Sequence, residues 1–127
     1  TMEKIVNLYD KKEQSNIKYS LTALLKLVIS QRLLQSRDGN LILAPEVMVV
    51  DNIISGLIRK DEINISEIEK VMQENPEKGN ITLIDSLANL FIGDKICLDL
   101  AKSQIAQRNM DLLNKTIMQL KIKKEAK

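Results

Sequence analysis

The sequence contains no histidine and only one cysteine among its 127 residues. Without an imidazole it cannot form a Ser-His or Cys-His nucleophile pair, an imidazole general base or a histidine-ligated zinc site. A single cysteine excludes an intramolecular disulfide and a four-cysteine zinc site, and such sparse use is typical of a reducing cytosol. Catalytic chemistry that depends on these residue types is therefore not expected from this chain.

Long apolar runs are missing as well. The longest, Leu41–Ala44 and Val47–Val50, are far shorter than the roughly 18 residues that a membrane-spanning helix needs, so no membrane insertion is expected. With 44% hydrophobic and 28% charged residues, the composition is that of a globular protein. The length suits one domain, or the end of one domain followed by a second small one.

Basic residues are concentrated at the end of the sequence. The stretch after residue 113 carries +4, because it holds one glutamate and five lysines, at Lys115, Lys121, Lys123, Lys124 and Lys127. The whole chain carries +2, which leaves −2 for everything before this stretch. A nucleic-acid binder is expected to show a basic stripe on its folded body, so no nucleic-acid partner is predicted. The lysines fit a helix C-terminus, where the helix dipole favours cations.

The spacing of apolar residues predicts helices over most of the chain. A stripe that recurs every three or four positions predicts one long amphipathic helix over residues 13–30. The stripe consists of Ile17, Leu21, Leu24 and Val28. The turn-forming run Arg37–Asn40 then separates Gln31–Gln35 from Leu41–Val50, which is rich in β-forming residues. We expect an antiparallel hairpin here, with Pro45 at an edge or a bulge and with cover from other elements.

Five further helices are predicted after the hairpin, the last over residues 105–124, and Gly93 is expected to end the third of them. Capping residues are assigned to the first four starts, at Asp51, Ser66, Thr82 and Asp94. The side chains expected to face a core are Ile53, Ile54, Leu57, Ile58, Ile65, Ile68, Val71, Met72, Ile84, Leu87, Ala88, Phe91, Ile105, Met110, Leu113, Ile117 and Leu120. The predicted fold is mainly α, with a helical bundle-like C-terminal domain preceded by a long helix and a small antiparallel β-hairpin.

Residues that could carry chemistry are scarce. The four glycines are isolated and no Gly-Lys-Ser/Thr occurs, so the sequence has no phosphate-cradling loop. No acidic cluster has metal-ligand spacing, and Cys97 is expected to be a small buried hydrophobe early in the helix that Asp94 begins. Residues 82–104 could form a helix-turn-helix, although its second half offers only Lys95, Lys102 and Gln104 as long donors. From chemistry alone, a helical interaction module or DNA-binding module is an open alternative.

The order of several segments nevertheless resembles one family. Residues 25–34 read Leu-Lys-Leu-Val-Ile-Ser-Gln-Arg-Leu-Leu. This is nearly the Leu-Lys-Ala-Val-Ile-Ser-Gln-Arg-Leu-Leu of the type IV pilus retraction ATPases, the PilT-like branch of the type II/IV secretion ATPase superfamily. Supporting matches follow in register over about residues 1–103, at Thr1–Asn7, Pro45–Val49, Gly79–Thr82 and Leu87–Leu90. Ser30, Gln31 and Arg32 belong to the most specific block and would lie on a core strand of that family.

The retraction motif of that family, Ala-Ile-Arg-Asn-Leu-Ile-Arg-Glu, falls on residues 53–60. The apolar positions and one arginine are retained, at Ile53, Ile54, Leu57, Ile58 and Arg59. Ser55, Gly56 and Lys60 replace an arginine, an asparagine and a glutamate of the motif. The resemblance implies a role in retraction for Arg59, whereas an amphipathic helix with a core-facing side accounts equally well for the apolar residues. No cysteine lies in the connection 35–40, which favours the retraction branch over the zinc-bearing assembly branch.

The resemblance also implies a place within a larger machine. Residues 1–50 would be the C-terminal end of a RecA-like ATPase core, and residues 51–127 would be an all-helical C-terminal domain. The parent would be a homo-hexameric ATPase of twitching motility that uses ATP and Mg. It would be cytoplasmic, peripheral to the inner face of the cell membrane, and would act on the inner-membrane pilus platform protein. This chain would hold no cofactor, hydrolyse no ATP alone, serve subunit packing and force transmission, and self-associate through its hairpin.

Overall fold

Helices and one β-hairpin make up the chain, as the sequence predicts. The computed structural model describes residues 2–126, with side chains from residue 4 onward. The elements in chain order are α1 (Met2–Val6), α2 (Lys11–Leu24), β1 (Leu27–Gln35), β2 (Leu41–Val49), α3 (Asn52–Ile58), α4 (Ile65–Glu74), α5 (Leu83–Ile92), α6 (Leu98–Ser103) and α7 (Met110–Glu125). Two short 3₁₀ turns, Pro76–Lys78 and Gln107–Asn109, lie before α5 and α7. The mainly α class with a two-stranded hairpin is thus confirmed.

The boundary between α2 and β1 differs from the prediction. The helix ends at Leu24 rather than at residue 30, because Leu25 takes an extended conformation and Leu27–Ser30 already belong to β1. The apolar stripe allowed both structures, since Leu25, Leu27 and Ile29 also alternate with the period of two that a strand shows. The β-branched Val28 and Ile29 favour the strand once β2 is available as a partner.

Contacts divide the chain into two compact units, which are described separately. Unit 1 comprises the residues up to Val28 together with Val47–Asn80, and unit 2 comprises Ile29–Glu46 together with the residues from Ile81 onward. This division does not coincide with the predicted domain boundary at residue 50, which stays a prediction about the longer protein.

The core of unit 1 is built by α3 and α4. Its buried residues are Ile54, Leu57, Ile58, Ile68 and Met72, with Met48, Val50, Ile63 and Val71 packed around them. Asn80 is buried beside this core, where its side-chain oxygen accepts the Val49 N–H at 2.8 Å and its amide donates to the Asn75 carbonyl at 3.1 Å. This amide therefore joins the end of β2 to the segment that follows α4.

The core of unit 2 covers one face of the hairpin. Its buried residues are Leu34, Ala44, Ile84, Leu87, Ala88, Ile96, Ala101, Leu113 and Ile117. The start of α5 is fixed as predicted, because the Thr82 hydroxyl accepts the Asp85 N–H at 3.2 Å. The hydroxyl of Ser86, one turn later, donates to the Pro45 carbonyl of β2. The cover that the sequence demands for the hairpin is thus present on this face.

The opposite face of the hairpin has no cover among the residues described. Side chains alternate along a strand, so the neighbours of the buried Leu34 and Ala44 point the other way. Four large apolar side chains on that face, Ile29, Leu33, Leu41 and Leu43, are all exposed.

The turn at Ser36–Asn40 contains Gly39 at a φ of 85°, and Asp38 accepts the Asn40 N–H at 3.1 Å and the Ser36 hydroxyl. Both hydrogen bonds lower the pKa of Asp38, and the bond from Ser36 has the larger effect.

Two of the four predicted capping residues are wrong. The α4 helix is capped by Asn64, whose side chain accepts the Glu67 N–H at 3.2 Å, and not by Ser66. Asn is as good an N-cap as Ser. With Asn64 as the cap, Ile65 is exposed and does not face the core as predicted. Asp94 does not begin the next helix, because its φ is +58° and its N–H bonds the Phe91 carbonyl at 3.0 Å.

Asp94 instead closes α5. The Lys95 N–H reaches the Leu90 carbonyl at 2.8 Å, and with the bond from Asp94 to Phe91 this forms a Schellman motif that ends the helix after Gly93. The helix that follows, α6, therefore begins only at Leu98, with Cys97 in its N-cap position.

The last helix, α7, is 16 residues long and begins at Met110, five residues later than predicted. Leu113 and Ile117 are buried as expected, whereas Met118 and Ile122 are exposed on the other side. Lys123 and Lys124 lie in the last turn, where the helix dipole favours cations. Over the described range, no helix combines the length and the apolar character that crossing a bilayer requires.

Candidate functional site

The motif-like residues lie on α3 and divide into two groups by burial. Ile54, Leu57 and Ile58 are buried in the core of unit 1, with at most 9% of their surface exposed. Ile53 is 52% exposed and does not belong to that core, contrary to the prediction. The three buried residues are explained by packing alone, so their presence in the motif requires no further role.

Asp51 holds the start of α3. Its Oδ1 accepts the Ile54 N–H at 2.9 Å, which confirms the predicted N-cap, and its Oδ2 lies 2.5 Å from Lys78 Nζ. The bond from the Ile54 N–H, followed by the contact with Lys78, lowers the pKa of Asp51 below its usual value. A negative charge is therefore stabilised at the position from which the motif-like helix begins.

Replacing Asp51 by alanine is expected to destabilise the chain at pH 7 by about 1–2 kcal/mol, as is usual for loss of an N-cap. Because folding lowers the pKa of this carboxyl, the part of its contribution that depends on its charge is complete above the unfolded value of about 3.9 and is lost as the pH falls through the folded value. Denaturant unfolding of both proteins at neutral and at strongly acidic pH measures the difference. Asp51→Asn is the control, because asparagine keeps the cap. A difference between native and Asp51→Ala proteins that is as large in strong acid as at neutral pH would contradict the assignment.

Arg59, the residue that ends α3, contacts α2. Its Nε donates to the Thr22 hydroxyl oxygen at 2.7 Å, and its guanidinium carbon lies 3.9 Å from the centre of the Tyr19 ring. The Thr22 hydroxyl in turn donates to the Lys18 carbonyl one turn earlier in α2. A cation stacked on an aromatic ring and fixed by a hydrogen bond has a defined orientation. Of the five retained motif residues, Arg59 is the one whose side chain leaves α3 to make polar contacts on another helix.

Lys18 reinforces the same contact and was not anticipated from the sequence. Its side chain is buried, and its ammonium group donates to the carbonyls of Lys60 and Asp61 at 2.7 and 3.3 Å. Buried lysines are rare unless their donors are satisfied, and here two main-chain oxygens beyond the end of α3 satisfy them.

The face of α2 that is buried is therefore polar. Lys18 and Thr22 are spaced by four residues and point toward α3, whereas Leu24 in the predicted apolar stripe is largely exposed. The sequence signal for this face was the pair of polar residues at helical spacing directly beside Ile17 and Leu21. The apolar periodicity of the same helix is a stronger signal, so the sequence predicts an apolar buried face instead.

Ser30, Gln31 and Arg32 lie on β1 in unit 2, and all three are exposed. Arg32 donates through Nη1 to the Gln104 carbonyl at 3.0 Å and to its side-chain oxygen at 3.3 Å. Their predicted place on a core strand of a larger sheet stays a prediction.

Cys97 is exposed, so the prediction that it is a buried hydrophobe is wrong. The Schellman motif at Asp94 places it in the connection before α6 rather than inside a helix. Within residues 2–126 no group of three or more potential ligands is arranged to hold a metal ion. The α6 helix has six residues with Lys102 as its one basic residue, which does not favour a helix-turn-helix that reads bases.

Known proteins are similar to this chain in sequence and in fold. No protein-family model matches it. A twitching motility protein from Neisseria gonorrhoeae is 31% identical over 91 residues, which are 71% of this chain and 24% of that protein. The chain thus spans about a quarter of the length of this curated relative.

Solved structures give the fold. The crystal structure of the pilus retraction motor PilT with bound ADP superposes with a TM-score of 0.71 and 24% identity, over 87% of this chain and 30% of that chain. The ATPases DotB from Yersinia pseudotuberculosis and Legionella pneumophila superpose with TM-scores of 0.62 and 0.59, at 18% and 16% identity. Each match covers 80% of this chain, and 26% and 27% of the DotB chains.

The chain therefore shares its fold with parts of the pilus retraction motor PilT and of the ATPase DotB. Together with the match to the twitching motility protein, this supports a PilT-like segment, in agreement with the resemblance drawn from residues 25–34.

Proposed function

We propose that this chain is the C-terminal segment of a type IV pilus retraction motor, in which it serves subunit packing and force transmission rather than nucleotide hydrolysis. The match to a twitching motility protein and the fold shared with a retraction motor support this function. The longer protein would be a homo-hexameric, cytoplasmic ATPase that binds ATP and Mg outside this segment. It would work at the inner face of the cell membrane, against the inner-membrane pilus platform protein.

The contact between Arg59 and α2 carries the proposal. Force transmission requires that movement of one element displace another. The side chain of Arg59 couples α3 to α2 in this way, because Thr22 and Tyr19 of α2 fix its orientation. Lys18 adds a second polar connection from α2 to the residues that follow α3. Directional hydrogen bonds thus join the motif-like helix and the residues after it to α2. Each of these bonds is either formed or broken, unlike the non-directional apolar contacts of the core.

Replacing Arg59 by alanine in the longer protein is expected to slow pilus retraction severalfold while leaving the fold intact. The change removes one partly buried hydrogen bond and a cation–ring contact, whereas the core of α3 stays unchanged. Retraction speed in single-pilus force measurements tests the effect, and circular dichroism checks folding. Arg108→Ala, which removes an exposed arginine of unit 2 outside the resembling segments, is the matched control. Retraction at the normal rate in the Arg59 variant would refute the proposed role.

A further inference from the structure

A cleft of about 460 Å³ opens on unit 1 beside the motif-like helix. Its walls come from the end of α2, the link to β1, the link between β2 and α3, and one side of α3. Its lining includes Thr22, Lys26, Asp51, Ser55, Gly56 and Arg59. Apart from Arg59, none of these was a candidate site residue in the sequence.

Two cations line the cleft without an anionic partner among the described residues. Arg59 uses Nε for Thr22 and stacks on Tyr19, so its plane is fixed, and none of its remaining N–H donors forms a hydrogen bond to those residues. Lys26 is exposed, and no carboxylate lies within ion-pair distance of it in the part of the chain that the structure describes. The acidic lining residue, Asp51, is already engaged by Lys78 and by the Ile54 N–H. The cleft therefore keeps a net positive charge.

Small residues make room between these cations. Ser55 and Gly56 stand where the resembling motif has arginine and asparagine, so both large polar side chains of the motif are missing from this wall. A Cβ atom added at Gly56 would meet nothing within 4 Å, which shows that the space beside α3 is open. Neither Ser55 nor Gly56 therefore fills the space in this wall of the cleft beside Arg59.

We infer that this cleft binds a carboxylate side chain from an acidic segment of a partner protein. A guanidinium whose plane is fixed presents its terminal N–H groups as a pair, and a carboxylate accepts such a pair in bidentate geometry. Lys26 supplies a second positive charge at the rim, which suits a segment with more than one acidic residue. The inference deepens the proposed function, on which it rests for the presence of a partner at the motif-like helix, but binding itself is testable without retraction.

The test is an NMR titration of the 127-residue chain at constant ionic strength with a capped tetraglutamate peptide. Tetraglutamate is expected to shift the amides of residues 22–26 and 52–59, and the matched tetraglutamine peptide is expected to leave them in place. Lys26→Gln should weaken the apparent Kd about tenfold, the loss expected for one charge-assisted hydrogen bond. Lys70→Gln, on the exposed side of α4, is the matched control and should leave the Kd unchanged.

A second variant tests the shape of the cleft without changing its charge. Gly56→Leu would fill this space, and because leucine favours helices more than glycine does, α3 should remain folded. This variant should abolish the tetraglutamate shifts.

Three results would overturn the inference. The first is a set of shifts spread evenly over the exposed lysines, and the second is an equal loss of affinity in the Lys70 variant. The third is tighter binding of inorganic phosphate than of the peptide at the same amides, which would assign the cleft to a free oxyanion. If the peptide binds as expected while Arg59→Ala leaves retraction unchanged, the proposed function fails and the binding site stands. If Arg59→Ala loses retraction but the native chain does not bind the peptide, the binding site fails and the proposed function stands.

Discussion

Replacing Ile58 by alanine is expected to lower the free energy of unfolding of unit 1 by about 3 kcal/mol, the middle of the range for removing a fully buried isoleucine side chain. Ile58 is 1% exposed and lies in one cluster with Ile54, Leu57, Ile68 and Met72. Alanine leaves a cavity that α3 and α4 can fill only by moving relative to each other. Since most small domains have a total stability of roughly 5–15 kcal/mol, this single change would be a large part of it.

The matched control lies on the same helix. Ile53 is the same residue type, also falls on the retraction motif, and is 52% exposed, so Ile53→Ala should change stability by less than about 0.5 kcal/mol. Both tyrosines of the sequence, Tyr9 and Tyr19, belong to unit 1, so denaturant unfolding followed by near-ultraviolet circular dichroism reports on this unit. Equal losses for the two variants would contradict the division of the motif into core and exposed residues.

That division shows what a motif match can and cannot reveal. The resemblance over residues 53–60 placed five residues in one group, yet three of them fill a core and only Arg59 makes polar contacts with α2. Apolar residues at helical spacing are retained wherever a helix must pack, so their retention carries little information about function. The resemblance pointed to Arg59, but the sequence could not show what fixes its side chain, because Thr22 and Tyr19 lie 37 and 40 residues away.

Features decided by nearby residues were predicted best. The caps at Asp51 and Thr82 each involve a bond to an N–H three residues later, and the hairpin turn contains its own Asp38 and Gly39. The wrong starts of α4 and α6 are also local. At α4 two suitable capping residues lie two positions apart, whereas at α6 no side chain caps the observed start at Cys97. Asn64 took the place of Ser66, and Asp94 was used to end α5 instead of beginning α6.

Features decided by distant residues were predicted worst. Residues 25–30 could continue α2 or begin β1, and only the presence of β2 as a partner settles which of the two forms. Lys18 is similar, because a lysine can be buried only where carbonyl oxygens without other partners meet it, and those belong to Lys60 and Asp61. The candidate site depends on these distant pairings, which explains why the sequence indicated its helix but not its contacts.

The exposed face of the hairpin favours association of the chain with itself. Ile29, Leu33, Leu41 and Leu43 expose between 47% and 69% of their surfaces on one side of the two strands, and no charged residue interrupts them in the alternating pattern. An uncharged apolar face beside unpaired strand edges is a recognised route to pairing between chains. In the longer protein proposed above, other elements would cover this face, whereas the 127-residue chain can cover it with a second copy.

The 127-residue chain is therefore expected to form a dimer that the double substitution Leu33→Lys and Leu43→Lys converts to a monomer. Two facing ammonium groups placed on the apolar surface would repel each other and would have to lose their hydration on pairing. Light scattering coupled to size-exclusion chromatography measures the mass, and circular dichroism verifies that the variant is folded. Ile122→Lys, which changes an equally exposed residue of α7 in the same unit, should leave the dimer intact. A chain that stays monomeric at high concentration, or a double variant that stays dimeric, would show that this face does not pair.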